Sequence, residues 1–349
     1  QLTLLKISKN VLFIGLGSIG QRHYRNYSKI VKNCNFFAIR KIKKSPELNK
    51  KNIVKNLEFD LKKKNITEIS ETAAFKKKID VVFICNPSSL HLKYALKFAK
   101  KNVALFIEKP LSHNLIGLKK LENKIKKNKV ICAVGYQLRY HKFLSKIKKV
   151  IDTKTLGKIK KVEIFNQHYL PYHHKYEDYR KGYAAKKKLG GGVLLCFIHE
   201  IDYANFLFDI PKSVKCISGK KSNLEIDVED YAKIKCNHHL NNHNFSVEIN
   251  LDFIRKIEKR KCNIIFQQGQ INWDLKKDEL IIKKKNKIIK KYQSKISRNL
   301  LFKKQLEFFN KNIKLKSKPI SNLDNGISSL KIAMTAKKSS KINKKIIIN

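Results

Sequence analysis

The chain has 349 residues, 42% of them hydrophobic, which is too long for one ordinary core and enough for two folded domains. Its formal charge of +51 invites a nucleic-acid reading, but only eight of its 78 basic residues are arginine. The lysines run through every segment, beside much Asn and Ile, and no helix-turn-helix or zinc-finger spacing occurs, so no specific nucleic acid is expected. No stretch approaches the roughly 20 uninterrupted apolar residues of a membrane span, so no membrane partner is expected, and the charge is left as a general attraction for anions.

Residues Gln1 to Asn10 carry Lys6 and Lys9 and run straight into a first strand, Val11–Ile14, which reads as a chain without a signal peptide. Directly after it, Gly15-Leu16-Gly17-Ser18-Ile19-Gly20 has GxGxxG spacing and leads into the helix-like QRHYRNYSKI. In that context the first glycine allows a tight turn, the second lets backbone approach a pyrophosphate and the third lets helix pack on strand. Gly15, Gly17, Ser18, Ile19 and Gly20 are therefore candidate cofactor residues at a helix N-terminus. The second strand, Asn35–Ile39, ends at Arg40-Lys41, where an NAD site usually carries an acid for the ribose 2′-hydroxyl. A rare arginine there favours NADP over NAD.

Further strands are expected at Val81–Cys85, Val103–Ile107 and Val130–Val134, with an amphipathic helix over His91–Lys100 that sets Leu92, Ala95, Leu96 and Ala99 on one face. This alternation predicts a doubly wound parallel sheet over residues 1–134, a dinucleotide-binding domain. Glu108-Lys109-Pro110 closes the run 103–107, placing a lysine and a carboxylate at a strand's carboxyl end, where open α/β sheets bind ligands.

Residues 135–349 change period. A helix is expected from Tyr140 to Ile151, ending at Gly157, and another from Gly192 to Phe208. Strand-like runs occupy Ile159–Gln167, Val214–Ser218, Asp230–Cys236, Phe245–Asp252, Cys262–Phe266 and Ile271–Leu275, which predicts a mostly antiparallel open sheet in an α/β second domain. Helical patterns return at Asn299–Lys311 and Leu323–Ser340, and Lys283–Lys285 reads as a solvated face or turn. On the helix over 192–208, Leu194, Phe197, Ile198, Ile201 and Phe208 form the expected core stripe. His199 shares another stripe with Gly192, Leu195, Cys196, Asp202 and Tyr203, whose mixed polarity suits a cleft wall, and Asp202 could orient its ring. A neutral histidine is suited to proton transfer near neutral pH.

Between them, residues 168–180 are polar and aromatic. Tyr179 and its neighbours could pack on sugar rings, and Arg180 could hold a phosphate or carboxylate. His238, His239 and His243 form HHxxxH without a fourth ligand, so no metal is expected. Seven scattered cysteines, never CxxC, read as reduced thiols of a cytoplasmic protein.

GLGSIG, DVVFICNPSSLH (Asp80–His91), EKP, GYQLRYH (Gly135–His141) and GGGVLLCFIHEID (Gly190–Asp202) occur in that order, and SNLDNGISSLKIAMTAKKSS extends the match. Together they resemble the glucose-fructose oxidoreductase/inositol dehydrogenase family, Gfo/Idh/MocA, especially members from surface-polysaccharide and unusual-sugar pathways. The resemblance implies a Rossmann domain joined to an α/β domain whose open sheet supports a homo-oligomer, a dimer or tetramer. It implies hydride transfer between a nicotinamide and a sugar, nucleotide-sugar or polyol, with Lys109 and His199 as the catalytic pair. Asn86, Pro87, His91, Glu108 and Lys109 fall where the family lines the cofactor, and Tyr136, Gln137 and Arg139 where the chain passes from cofactor to substrate. Many members carry an aspartate three or four residues before the histidine. Here those positions are Leu195 and Cys196, so either a two-residue centre or a substitute such as Glu177 or Asp178 is expected.

Three other readings compete with this dehydrogenase. The same cofactor could reduce a carbonyl or conjugated double bond, the chain could be a sensor or scaffold that kept the nucleotide site without the chemistry, or its charge could bind nucleic acid.

Overall fold

The computed structural model describes residues 9–294 and 297–348. The chain divides into two compact units: one runs up to Ser112 and takes in Ile116–Gly135 and Arg298–Leu323, and the other comprises His113–Leu115, Tyr136–Ser297 and the chain from Asp324 onward.

The first unit contains β1 (Lys9–Ile14), β2 (Cys34–Ile39), β3 (Glu47–Leu48), β4 (Val54–Asn56), β5 (Ile66–Glu68), β6 (Val81–Ile84), β7 (Ala104–Ile107) and β8 (Cys132–Val134). Among the described residues six of these pair in the order β5-β2-β1-β6-β7-β8, every pairing parallel, and β3 and β4 form a small antiparallel hairpin. The helices are α1 (Ser18–Ile30), α2 (Glu71–Lys76), α3 (His91–Phe98) and α4 (Leu118–Lys127). The strand order reverses at β1 and β6, so a crevice opens beyond their carboxyl ends. β1, β6 and β7 are buried along their apolar runs, as strands covered on both faces must be.

The second unit begins with α5 (Lys142–Asp152) and β9 (Ile159–Gln167), followed by α6 (Val193–Cys196) and α7 (Ile198–Phe208). The strands β10 (Ser213–Gly219), β11 (Tyr231–Leu240), β12 (His243–Asp252), β13 (Lys259–Phe266), β14 (Gly269–Asp274), β15 (Glu279–Lys284) and β16 (Lys287–Gln293) come next. The chain ends with α8 (Arg298–Leu315), α9 (Leu323–Ile342) and β17 (Ile346–Ile347). Among the described residues nine strands pair as β16-β15-β14-β13-β9-β12-β11-β10-β17. All these pairings are antiparallel except β12 with β9. The helices α6 and α7 cover one face, against β11 and β12, and burial along β9, β11 and β12 alternates accordingly. Asn241-Asn242 and Lys285-Asn286 adopt the left-handed pair of a two-residue hairpin turn, so Lys283 and Lys284 lie in β15 and only Lys285 lies in the turn.

The expected division after residue 134 misses a return of the chain. Leu306 and Phe309 of α8 complete the cluster of Phe13, Phe83, Phe106, Tyr24 and Tyr27, while Asn299 bonds Arg22 and Asn26 on α1. α8 therefore belongs to the first unit. The helix expected over Gly192–Phe208 is broken at Phe197. Among the described residues no helix is long and apolar enough to cross a membrane. The seven cysteines are free thiols, six of them buried.

Candidate active site

The turn after β1 carries the cofactor expectation, and each glycine there has a separate reason. Gly15 has φ of +91°, and a Cβ on it would meet the Asn86 backbone nitrogen at 2.9 Å. A Cβ on Gly20 would strike the Gly15 carbonyl, so only glycine lets α1 start this close to the strand. Gly17 faces open space. It is the N-cap of α1, no side chain caps that end, and the first turn holds no acid, while Ser18 and Ile19 open the helix. Backbone amides and the helix dipole thus meet an unobstructed approach, the arrangement that holds a phosphate. Across the strand switch, Asn86 Oδ1 is buried without a hydrogen-bond partner. These features fit a dinucleotide, whose pyrophosphate would lie against the amides of Gly17 to Gly20.

Arg40 follows the last residue of β2, whose Ile39 carbonyl accepts from the Gly15 amide at 3.0 Å. Its guanidinium is already paired, Nη2 donating to Glu68 Oε2 at 2.9 Å.

Glu108 and Lys109 stand beyond β7, and the Glu108 amide donates to Ile84 at 2.9 Å. The Glu108 carboxylate is buried against His23 Nε2 at 2.6 Å and accepts from the Lys109 amide at 3.1 Å. Burial works against its charge, but His23 and Lys109 more than offset that and hold the carboxyl below the usual range. Gly135 makes room for it, since a Cβ there would lie 2.8 Å from the carboxylate. His23 and Gly135 were missed as contributors. His23 could have been suspected from its place on the fingerprint helix, but nothing in the spacing pairs it with Glu108.

His91, expected beside the cofactor, has both ring nitrogens against backbone carbonyls. Its ring is 1% exposed, with Nδ1 2.8 Å from the Pro110 carbonyl and Nε2 2.8 Å from the Asn86 carbonyl. Burial pushes it below its usual range, so the neutral ring braces the 86–87 and 109–110 loops, donating to one carbonyl at a time. Pro87 leads the short turn Ser88–Leu90 beside it.

In the second unit His199 lies in the first turn of α7, 7% exposed, its ring edge-on to Tyr136 at 5.9 Å. The expected core stripe is too narrow. Glu200 and Asp202 are as buried as Ile201, and α7 is enclosed on nearly every side. Asp202 does not orient His199. It accepts from Arg139 Nε and Nη2, both at 2.9 Å, and from Ser329 Oγ at 3.1 Å, and burial pushes its carboxyl above the usual range. Arg139, expected as a substrate ligand, is stacked over Phe206 and 5% exposed, and its pair with Asp202 braces the turn Gln137–Tyr140. That turn sets buried Gln137 directly after Tyr136. Glu200 is likewise committed, to Arg260 and Asn166.

Leu195 and Cys196 are buried, and the substitutes considered for them are engaged elsewhere. Glu177 pairs with His174 at 2.7 Å, and Asp178 pairs with Arg180. Arg180 is half exposed and bonds both Asp178 and Glu225, whose amide also donates to the Tyr179 hydroxyl. Its Nε and Nη1 thus donate to two carboxylates, which an anion held by Arg180, as expected from the sequence, would have to displace there. His238, His239 and His243 bond the Phe208 carbonyl, Asn244 and the Ile159 carbonyl in turn.

The model of the Gfo/Idh/MocA oxidoreductase family, NAD-binding Rossmann fold, matches residues 9–136, and that of the Gfo/Idh/MocA C-terminal domain matches residues 144–271. Myo-inositol 2-dehydrogenase of Thermotoga maritima is 26% identical over 195 residues, 56% of this chain and 53% of that protein. Scyllo-inositol 2-dehydrogenase (NAD(+)) of Bacillus subtilis is 26% identical over 59% of this chain and 55% of its own length. The chain thus spans about half the length of these curated relatives. A levoglucosan dehydrogenase, solved with NADH and levoglucosan, superposes with a TM-score of 0.80 at 17% identity, covering 98% of this chain and all of that one, a likeness of fold.

Proposed function

Because this chain belongs to the Gfo/Idh/MocA family of oxidoreductases, we propose that it is an NAD(P)-dependent dehydrogenase acting on a CH–OH group of a sugar, nucleotide-sugar or polyol. The observation that carries this reading is the uncapped start of α1 at an open Gly17, across the strand switch from the unpartnered Asn86 oxygen. The inositol dehydrogenases among its relatives support inositols and hexoses as the first substrates to try. The positive charge would draw in a phosphorylated or nucleotide-linked one. Arg40 supports NADP over NAD, and the family's open sheet supports a dimer or tetramer.

A nicotinamide dinucleotide held by the Gly15–Gly20 turn and Asn86 would supply the hydride acceptor for the carbinol carbon. His199 takes the hydroxyl proton on a ring nitrogen, general-base work that is typically worth about 10²–10⁴-fold. Lys109 carries an ammonium suited to donating a hydrogen bond to a carbinol oxygen as negative charge develops. Glu108 acts on Lys109 through the backbone, accepting its amide.

The test is Lys109→Ala, with inositols and hexoses as substrates. Turnover should fall by 10² or more while calorimetric affinity for the dinucleotide stays within about threefold. Unchanged turnover would remove Lys109 from the chemistry. A second reading, a cofactor-binding sensor of the same fold, rests on Leu195 and Cys196 standing where many members have an aspartate. It predicts tight dinucleotide binding with no carbinol turned over above background.

A further inference from the structure

The fingerprint's acidic residue is missing from the end of β2, where Arg40 stands, but a carboxylate reaches that place from the neighbouring strand. Glu68 ends β5, paired in register with Ala38 of β2, and its two oxygens are divided between two cations. Oε2 accepts from Arg40 Nη2 at 2.9 Å and Oε1 accepts from Lys43 Nζ. Burial works against the charge on Glu68, but Lys43 and Arg40 hold its carboxyl below the usual range, so it is ionised at neutral pH. The Arg40 side chain is nine-tenths buried, and its Nε and Nη1 have no hydrogen-bond partner. A guanidinium offers five N–H donors in a planar fork, and here one edge is spent on Glu68 while the rest is buried unsatisfied.

These groups sit where the dinucleotide's ribose would lie, because Ile39, the residue before Arg40, accepts from Gly15 of the phosphate turn. A 2′-phosphate would satisfy the idle Arg40 donors but would bring its charge beside the Glu68 carboxylate. A bare 2′-hydroxyl would meet no such repulsion.

We infer that Glu68 is the specificity-determining residue of the cofactor site: by holding Arg40 and Lys43 it limits the preference for a 2′-phosphate, and its loss turns the chain into a strongly NADP-selective protein. This rests on the dinucleotide reading of the Gly15–Gly20 turn.

The experiment is calorimetric titration of the full chain with NADPH and NADH at near-physiological salt, for the wild type, E68Q, E68S and E68Q/R40Q. E71Q removes an equal charge from the pair that Glu71 of α2 makes with Lys93 of α3 and serves as the control for bulk electrostatics. In E68Q the affinity for NADPH should rise about tenfold, roughly 1.4 kcal/mol, with NADH within about twofold. E68S should behave alike, E68Q/R40Q should lose the gain, and E71Q should leave the ratio unchanged. An unchanged NADPH-to-NADH ratio in E68Q overturns the role of Glu68 while leaving the cofactor reading standing. Loss of both nucleotides in E68Q and E68S also overturns it, because Glu68 would then be holding the strand ends. If the wild type binds neither nucleotide, it is the dinucleotide reading that falls.

Discussion

His23→Leu isolates the buried pair that anchors the strand-end motif. The His23 ring packs against Phe106 at 4.8 Å, Phe83 at 5.8 Å and Phe302 at 5.9 Å, so leucine keeps the apolar contacts and removes only the bond to Glu108. Breaking a buried pair by deleting one partner costs about 3–5 kcal/mol, because the surviving charge is left without compensation. Glu108 keeps the Lys109 amide, which places the expected loss near about 3 kcal/mol, a large part of a typical net stability of about 5–15 kcal/mol. In urea, with a slope of about 3 kcal/mol per molar, the midpoint followed by circular dichroism should drop by about 1 M.

Adding Glu108→Gln to His23→Leu should recover much of the loss, since a neutral amide is cheaper to bury than a carboxylate. The pH dependence has a definite sign. In the wild type the folded pKa of Glu108 lies below its ordinary value, so its stabilisation is present above about pH 4.5 and is lost as pH falls through the folded value. Without His23 the penalty of burial dominates, the carboxyl takes up a proton more readily, and the deficit of the variant should narrow as pH falls from 7 towards about 4.5. A His23→Leu midpoint within about 0.2 M of the wild type, equivalent to about 0.6 kcal/mol, would refute the claim that this pair organises the motif.

Gly17→Ala and Gly20→Ala should separate binding from folding. A methyl on Gly17 meets nothing within 4 Å, so stability should stay within about 0.5 kcal/mol, yet it sits where the phosphate approaches and should weaken dinucleotide binding at least tenfold by calorimetry. Gly20→Ala should destabilise by about 1–3 kcal/mol in a urea melt, because the new carbon strikes the Gly15 carbonyl. Asp202→Ala leaves Arg139 buried without its carboxylate and should cost about 3–5 kcal/mol. At about 2–4 °C per kcal/mol for a domain of this size, thermal unfolding of the second unit should move down by at least roughly 6 °C, with Asp202→Asn losing less.

The parallel sheet and the glycine turn that opens α1 were legible because their signals are local. Buried parallel strands read as continuous apolar runs, and a glycine fingerprint between such a run and a helix has few other uses. The antiparallel sheet was legible down to β14 for the same kind of reason, the strand β9 falling on Ile159–Gln167 as expected. It ceased to be legible at β15 and β16, whose lysines disguise them: β16 is an edge strand, and exposed lysines are what keep such edges from pairing further. The return of α8 to the first unit was hidden, since an amphipathic pattern states that a face is buried and not against what.

The side-chain partnerships decided what each named residue can do, and they belong to tertiary structure alone. Sequence order supplied Lys109, His199 and the glycines as candidates, but His91, Arg139, Asp202 and Arg180 looked equally available on paper. Folding commits His91 to two carbonyls, Arg139 and Asp202 to each other, and Arg180 to Asp178 and Glu225. It also brings His23 to Glu108 across 85 residues and Glu68 to Arg40 across 28. A buried charge must find its counterpart wherever the fold brings one within about 3 Å, and no spacing along the chain records that distance.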